Sequence, residues 1–164
     1  MRIRPVTDTN EFGEYARVLR NSFATVAAAL GLTPENAPTN AAFIDANRLR
    51  ESFDKGAIFF CAIEDNRMIG TVAVEKSGDC EGLYYIERLA VLPEYRHMGY
   101  GTLLMDHACA EIVRRGGNRV SIGIINENDV LKKWYSGYGF TETGIKRFEH
   151  LPFTVCFMEK IPGN

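Results

Sequence analysis

The chain has no apolar run near the roughly 20 residues that a membrane-spanning helix requires. Its opening residues, Met1-Arg2-Ile3-Arg4-Pro5-Val6, are followed by no apolar stretch of the kind a secretory signal carries. Charge of either sign is not in surplus. Nineteen Lys and Arg stand against 21 Asp and Glu, a formal net charge of -2. That balance excludes the basic footprint of a nucleic-acid binder. The four cysteines (Cys61, Cys80, Cys109 and Cys156) form no C-x-x-C pair, and His97, His107 and His150 show no metal-ligand spacing. Reduced thiols, a cytoplasmic location, no membrane association and no metal are the expectations. Low-complexity tracts, charge blocks and internal repeats are also missing.

What is present is an ordinary globular composition, 46% apolar and 24% charged over 164 residues. One domain spanning 1–164 is expected, burying roughly 70% of the unfolded surface. Residues 1–6 read as an edge strand, where Pro5 is tolerated. Apolar residues at helical spacing (Phe12, Tyr15, Val18, Leu19, Phe23, Val26, Leu30) predict a helix over 10–30 that stops at Gly31. A loop with two prolines covers 32–40, and a second helix is expected over about 41–53. The period then changes to that of strands: 57–64, a three-residue turn at Asp65-Asn66-Arg67, 68–75, and an antiparallel third strand over 83–92. A helix over 99–115, a strand over 120–125, a short helix over 128–138 and closing strands near 140–146 and 153–160 complete the pattern. The order β α α β β β α β α β β predicts an α/β (α+β) fold, with a mixed, mainly antiparallel sheet of about seven strands and about four helices. Such an arrangement leaves a ligand crevice at the carboxyl end of a strand.

The informative stretch is Leu92-Pro93-Glu94-Tyr95-Arg96-His97-Met98-Gly99-Tyr100-Gly101-Thr102. A strand ends, a loop follows, and two glycines one residue apart open a helix. Unpaired N–H groups at a helix start, with glycines that admit close approach, form an anion cradle. Arg96 adds a guanidinium suited to phosphate oxygens. Two nucleotide motifs fail here: Leu104 occupies the third glycine position of G-x-G-x-x-G, and a P-loop lysine is missing before Thr102. The stretch resembles instead the acyl-CoA signature Arg/Gln-x-x-Gly-x-Gly/Ala of the GNAT acetyltransferase superfamily, matched by Arg96, Gly99 and Gly101. The preceding strand Ile86–Val91 looks like that family's fourth strand. Downstream, Asn128, Tyr135 and Gly139-Phe140 resemble its Asn…Tyr-x-x-x-Gly-Phe segment in order and spacing. The resemblance covers residues 57–160, while the first helices match in layout only.

The resemblance implies a GNAT-like fold and acyl transfer from acetyl-CoA, used as cosubstrate, to a primary amine of a small molecule or peptide by direct attack in a ternary complex. An alkyl ammonium must lose a proton before it can attack. Glu87, a carboxylate in an otherwise apolar strand, is the candidate base; strict alternation sets it on one face with Tyr85 and Leu89, and Arg88 on the other. A solvated or salt-bridged glutamate is the plainer alternative. The family pattern makes Tyr135 the acid for the departing thiolate, against the alternative of a core tyrosine. It also implies that backbone at Leu89, Ala90 and Val91 pairs with the pantetheine arm, as an added strand would. The pyrophosphate is expected on N–H groups of His97, Met98, Gly99, Tyr100, Gly101 and Thr102, with Asn128 on the pantetheine or capping the following helix. Cys109 and Cys61 read as inert core thiols rather than acyl carriers, and Glu149 and His150 as a solvated loop. Two other classes compete: a catalytically silent CoA-binding or sensor module of the same fold, and an interaction protein whose glycine loop is only a helix start. The closing strands leave a homodimer open.

Overall fold

A computed structural model describes residues 1–163. Seven strands, β1 (Arg2–Val6), β2 (Ile58–Glu64), β3 (Arg67–Lys76), β4 (Leu83–Val91), β5 (Arg119–Ile125), β6 (Thr141–Arg147) and β7 (Thr154–Lys160), form one sheet in the order β1-β2-β3-β4-β5-β7-β6. Four helices accompany them: α1 (Phe12–Leu30), α2 (Ala46–Asp54), α3 (Tyr100–Arg114) and α4 (Asp129–Tyr138). Every neighbouring strand pair is antiparallel except β4 with β5. The expected mixed sheet of seven strands and four helices is what the chain adopts.

Strand β2 explains the layering. From Ile58 to Ile63 its residues are apolar without interruption because both faces are covered. Phe59 packs edge-on against Phe12 and Tyr15 of α1, while its neighbour Phe60 meets His107 of α3. Helices α1 and α2 therefore cover one face, and α3 the other. Tyr138 of α4 donates to Asp106 of α3, so α4 lies beside α3. Among the described residues, no helix is long and apolar enough to cross a membrane.

Local details depart from the sequence expectations in two places, and the strand order adds a third feature. The β2–β3 connection is two residues, Asp65 and Asn66, both at positive φ (46° and 61°), because a two-residue turn of that hand follows the strand twist. The second helix is broken: a 3-10 turn at Ala41–Phe43 precedes α2, and the Asp45 side chain accepts from Arg48 N at 2.9 Å to start a new helix. Finally, β7 lies between β5 and β6, which leaves β6 as an edge strand exposed along its length.

Candidate active site

Strands β4 and β5 stay together for only three residue pairs, Leu83–Tyr85 against Arg119–Ser121. Beyond Tyr85 the two strands part, and the β5-facing edge of β4 has no strand partner among the described residues. The gap is a cleft of about 670 Å³ with Tyr85–Leu89 on one wall and Ser121–Ile125 on the other. Helix α1 contributes Phe23 and Val26, and α4 contributes Leu131 and Tyr135.

The loop from β4 to α3 follows directly on the strand that lines the cleft. His97 (φ 62°) and Gly99 (φ 81°) both adopt left-handed backbone, a conformation that glycine takes without strain. Among the described residues, the N–H groups of His97, Met98, Gly99, Tyr100, Gly101 and Thr102 have no carbonyl partner; the first such bond is Leu103 N to Gly99 O at 3.1 Å. These donors sit at the positive end of the 15-residue helix α3. Gly101 needs no left-handed φ, and a Cβ there would meet only Trp134 Cζ2 at an ordinary 3.6 Å. The fold itself does not demand a glycine in that helical turn, where it costs roughly 0.5–1 kcal/mol relative to alanine. At Gly99, by contrast, a Cβ would meet nothing within 4 Å, and open space beside unpaired donors suits a bulky anion. The open strand edge, the donors and the clear space together fit the pantetheine and pyrophosphate of a coenzyme A.

Arg96 is held by protein groups at the base of this loop. Its guanidinium is engaged with protein at all three nitrogens: Nε donates to Val91 O at 3.2 Å, Nη1 to Thr25 Oγ1 at 3.2 Å and Nη2 to Ser22 O at 2.5 Å. It ties the loop to α1, which passes beside it and offers a carbonyl and a hydroxyl. The unpaired donors of the loop are its backbone N–H groups.

Glu87 lines the cleft with a side chain 46% exposed. Burial first, then the neighbouring Glu75 carboxylate, push its carboxyl above the ordinary value, with Arg88 pulling the other way. Arg88 departs from the strict alternation expected of the strand. Thr71 pairs with Ala90 and Ala73 with Glu87, so β4 carries a bulge, and Arg88 takes φ 56°. The bulge breaks alternation and turns Arg88 into the same cleft, its Nη1 4.0 Å from Glu87 Oε2. Glu75, missed in the sequence, lines the cleft on the same face.

Tyr135 is 6% exposed and lines the cleft, with edge contacts to Trp134 and Phe140. Burial raises its phenol above the ordinary value. Asn128 lines the cleft and also caps α4, its Oδ1 accepting from Leu131 N at 3.2 Å. The cap occupies the oxygen and leaves the amide hydrogens for a ligand. Leu89 lines the cleft, Ala90 pairs with β3, and Val91 O is taken by Arg96. Met98 projects at 59% exposure, and the Tyr100 hydroxyl lies 3.4 Å from Glu64 Oε1. Cys61 and Cys109 are buried, and burial pushes the Cys61 thiol up to about 11 and raises Cys109 as well. Neither is set up as a thiolate nucleophile.

The sequence over residues 25–140 matches the model of the acetyltransferase (GNAT) family. The chain belongs to that family. Among curated relatives of this GNAT chain is an uncharacterized N-acetyltransferase of Mycobacterium bovis, 28% identical over 125 residues, which covers 73% of the chain and 79% of that protein. Another is the "Probable N-acetyltransferase camello" of Xenopus tropicalis, 29% identical over 62% of the chain; the match spans 45% of that protein, less than half its length. The GNAT fold is shared with the crystal structure of the PaiA N-acetyltransferase from Thermoplasma acidophilum in complex with coenzyme A. That likeness has a TM-score of 0.73 at 19% identity and covers 98% of this chain and 99% of the other.

Proposed function

We propose that this GNAT chain moves an acetyl group from acetyl-CoA to a primary amine of a small molecule or peptide, by direct attack while both are bound. The observation that carries the reading is the cleft itself, which is lined by both a carboxylate (Glu87) and a phenol (Tyr135) beside an unpaired strand edge. Acetyl-CoA supplies the acetyl thioester. Glu87 takes the proton of the entering ammonium, so its raised carboxyl is better matched to a base working near neutrality. Backbone N–H groups on the open edge of β4 receive the charge that develops on the thioester oxygen. As the carbon–sulfur bond breaks, Tyr135 donates its proton to the leaving sulfur, and its phenolate takes the second proton that the newly acylated nitrogen must shed. The burial that raises the phenol raises a thiolate beside it too, so the transfer is not uphill by the full shift. Leu89, Ala90 and Val91 would border the pantetheine arm, Asn128 would donate to it, and His97 to Thr102 would hold the pyrophosphate.

The test is release of free CoA thiol from acetyl-CoA across a panel of polyamines, amino acids, aminoglycosides and peptides. Turnover with at least one amine, lost in Glu87→Gln, is expected. Binding of acetyl-CoA with no release above hydrolysis across the panel would leave a silent CoA-binding module instead.

A further inference from the structure

Two carboxylates and one guanidinium meet in the cleft, and only Glu87 has so far been given a task. Arg88 sits in the β4 bulge at φ 56°, held there by Thr71 Oγ1, which donates to Arg88 O at 2.9 Å. A non-glycine residue in left-handed backbone is strained, and it persists only where its surroundings over-determine it. Here the surroundings grip the side chain as well. It is 13% exposed, lies 5.5 Å over the Phe59 ring and donates Nη2 to Ser52 Oγ of α2 at 3.0 Å. Its Nη1 is buried with no hydrogen-bond partner. That nitrogen lies 3.8 Å from Glu75 Oε1 and 4.0 Å from Glu87 Oε2, roughly 1 Å beyond bonding distance to each. An orphaned guanidinium donor is costly, and a small rotation of either carboxylate would relieve it.

We infer that Arg88 is a positioning residue for the transfer: its Nη1 holds the ionised Glu87 carboxylate toward the acceptor amine, and passes to Glu75 once Glu87 has taken the amine's proton. The inference rests on the acetyl-transfer reading given above. The proton moves from the ammonium nitrogen to a Glu87 oxygen and leaves to solvent through the half-exposed side chain; Arg88 stays charged throughout. Besides Glu75 and Arg88, the charged or titratable groups of the cleft are Arg48 from α2, Tyr85 from β4 and Tyr135 from α4. Beneath the cleft, the buried Tyr15 hydroxyl of α1 faces Arg88. Glu75 and Arg88 are the two that act on Glu87, with opposite sign.

The experiment is kcat/KM against pH for the parent, Arg88→Met, Arg88→Lys, Glu75→Gln and Glu87→Gln, with melting temperature and acetyl-CoA affinity measured beside it. In Arg88→Met the acid limb should move up by about one pH unit, since a charge at this distance favours the ionised carboxylate. Its rate should fall about tenfold at low pH and return near the parent's at high pH. Arg88→Lys keeps the charge without the fork and should fall between. Glu75→Gln removes a repelling charge and releases Arg88 to Glu87, so its limb should move down. An equal loss at every pH in Arg88→Met, with the limb unmoved in both it and Glu75→Gln, would overturn the inference. Should Arg88→Met melt early, Glu75→Gln, which leaves Arg88 in place, still decides. If Glu87→Gln abolishes the limb while the other variants keep the parent's, the Arg88 inference alone fails. If Glu87→Gln keeps the parent's rate and limb, the base assignment fails with it.

Discussion

Replacing Arg96 with methionine separates two uses of a guanidinium that the family signature alone does not distinguish. The methionine keeps most of the apolar stem and removes three donors, those to Val91 O, Thr25 Oγ1 and Ser22 O. A hydrogen bond from a charged donor contributes about 1.5–3 kcal/mol net. Three on one half-buried group share a single desolvation and do not add, so a loss of about 3 kcal/mol is expected. At this chain length that lowers Tm by roughly 6–12 °C. The same variant should bind acetyl-CoA more weakly, because the loop carrying the backbone donors is no longer tied to α1. A loss arising from loop geometry persists as salt is raised, whereas a lost guanidinium–phosphate contact is screened away. The assay is a thermal melt with and without acetyl-CoA, followed by acetyl-CoA affinity at low and high salt. An unchanged Tm with a salt-sensitive loss of affinity would refute the structural role and return Arg96 to the phosphate.

Glu87→Gln should lower kcat/KM by about 10²–10⁴-fold and remove the acid limb of the pH profile. Its effect on stability has the opposite sign. The Glu87 carboxyl is raised in the fold, so the stability it contributes is lost as pH rises through that raised value. Glutamine escapes this loss, and at neutral pH the variant should melt no lower than the parent. With the side chain 46% exposed, solvent screening holds any gain below about 1 kcal/mol. Asn128→Asp keeps a capping oxygen and loses the amide donors; Tm should hold while acetyl-CoA affinity falls. Asn128→Ala loses both and should cost about 1 kcal/mol in a melt as well. Tyr135→Phe should leave acetyl-CoA affinity and Tm near the parent's and lower kcat, read in a steady-state thiol-release assay.

The parts of this fold that were legible in the sequence are those set by local pattern. The strand-loop-helix that carries Gly99 and Gly101 could be read directly, because left-handed backbone and clear space at a helix start leave glycine as their mark. So could β2, whose apolar run reports burial on both faces. What escaped depends on partners distant in the chain. Two of the three groups that engage Arg96 lie 71 and 74 residues away on α1, so no spacing rule connects them. The bulge at Arg88 has no glycine to announce it; it is imposed by Thr71 and Ser52 across the sheet and α2, and alternation alone put the side chain on the wrong face. Insertion of β7 between β5 and β6 is likewise a matter of tertiary pairing. The candidate base was visible as a lone carboxylate in an apolar strand, but its companion Glu75 sat at the polar end of β3, where an acidic residue is unremarked.

The central claim is that the cleft between β4 and β5 holds an acetyl-CoA, and titration calorimetry with acetyl-CoA tests it most directly. The parent should bind one equivalent, and Gly101→Trp, which sets a large side chain beside Trp134 and the backbone donors, should lose that binding. A well-folded parent that binds no acetyl-CoA, or a Gly101→Trp variant that binds as the parent does, would contradict the account.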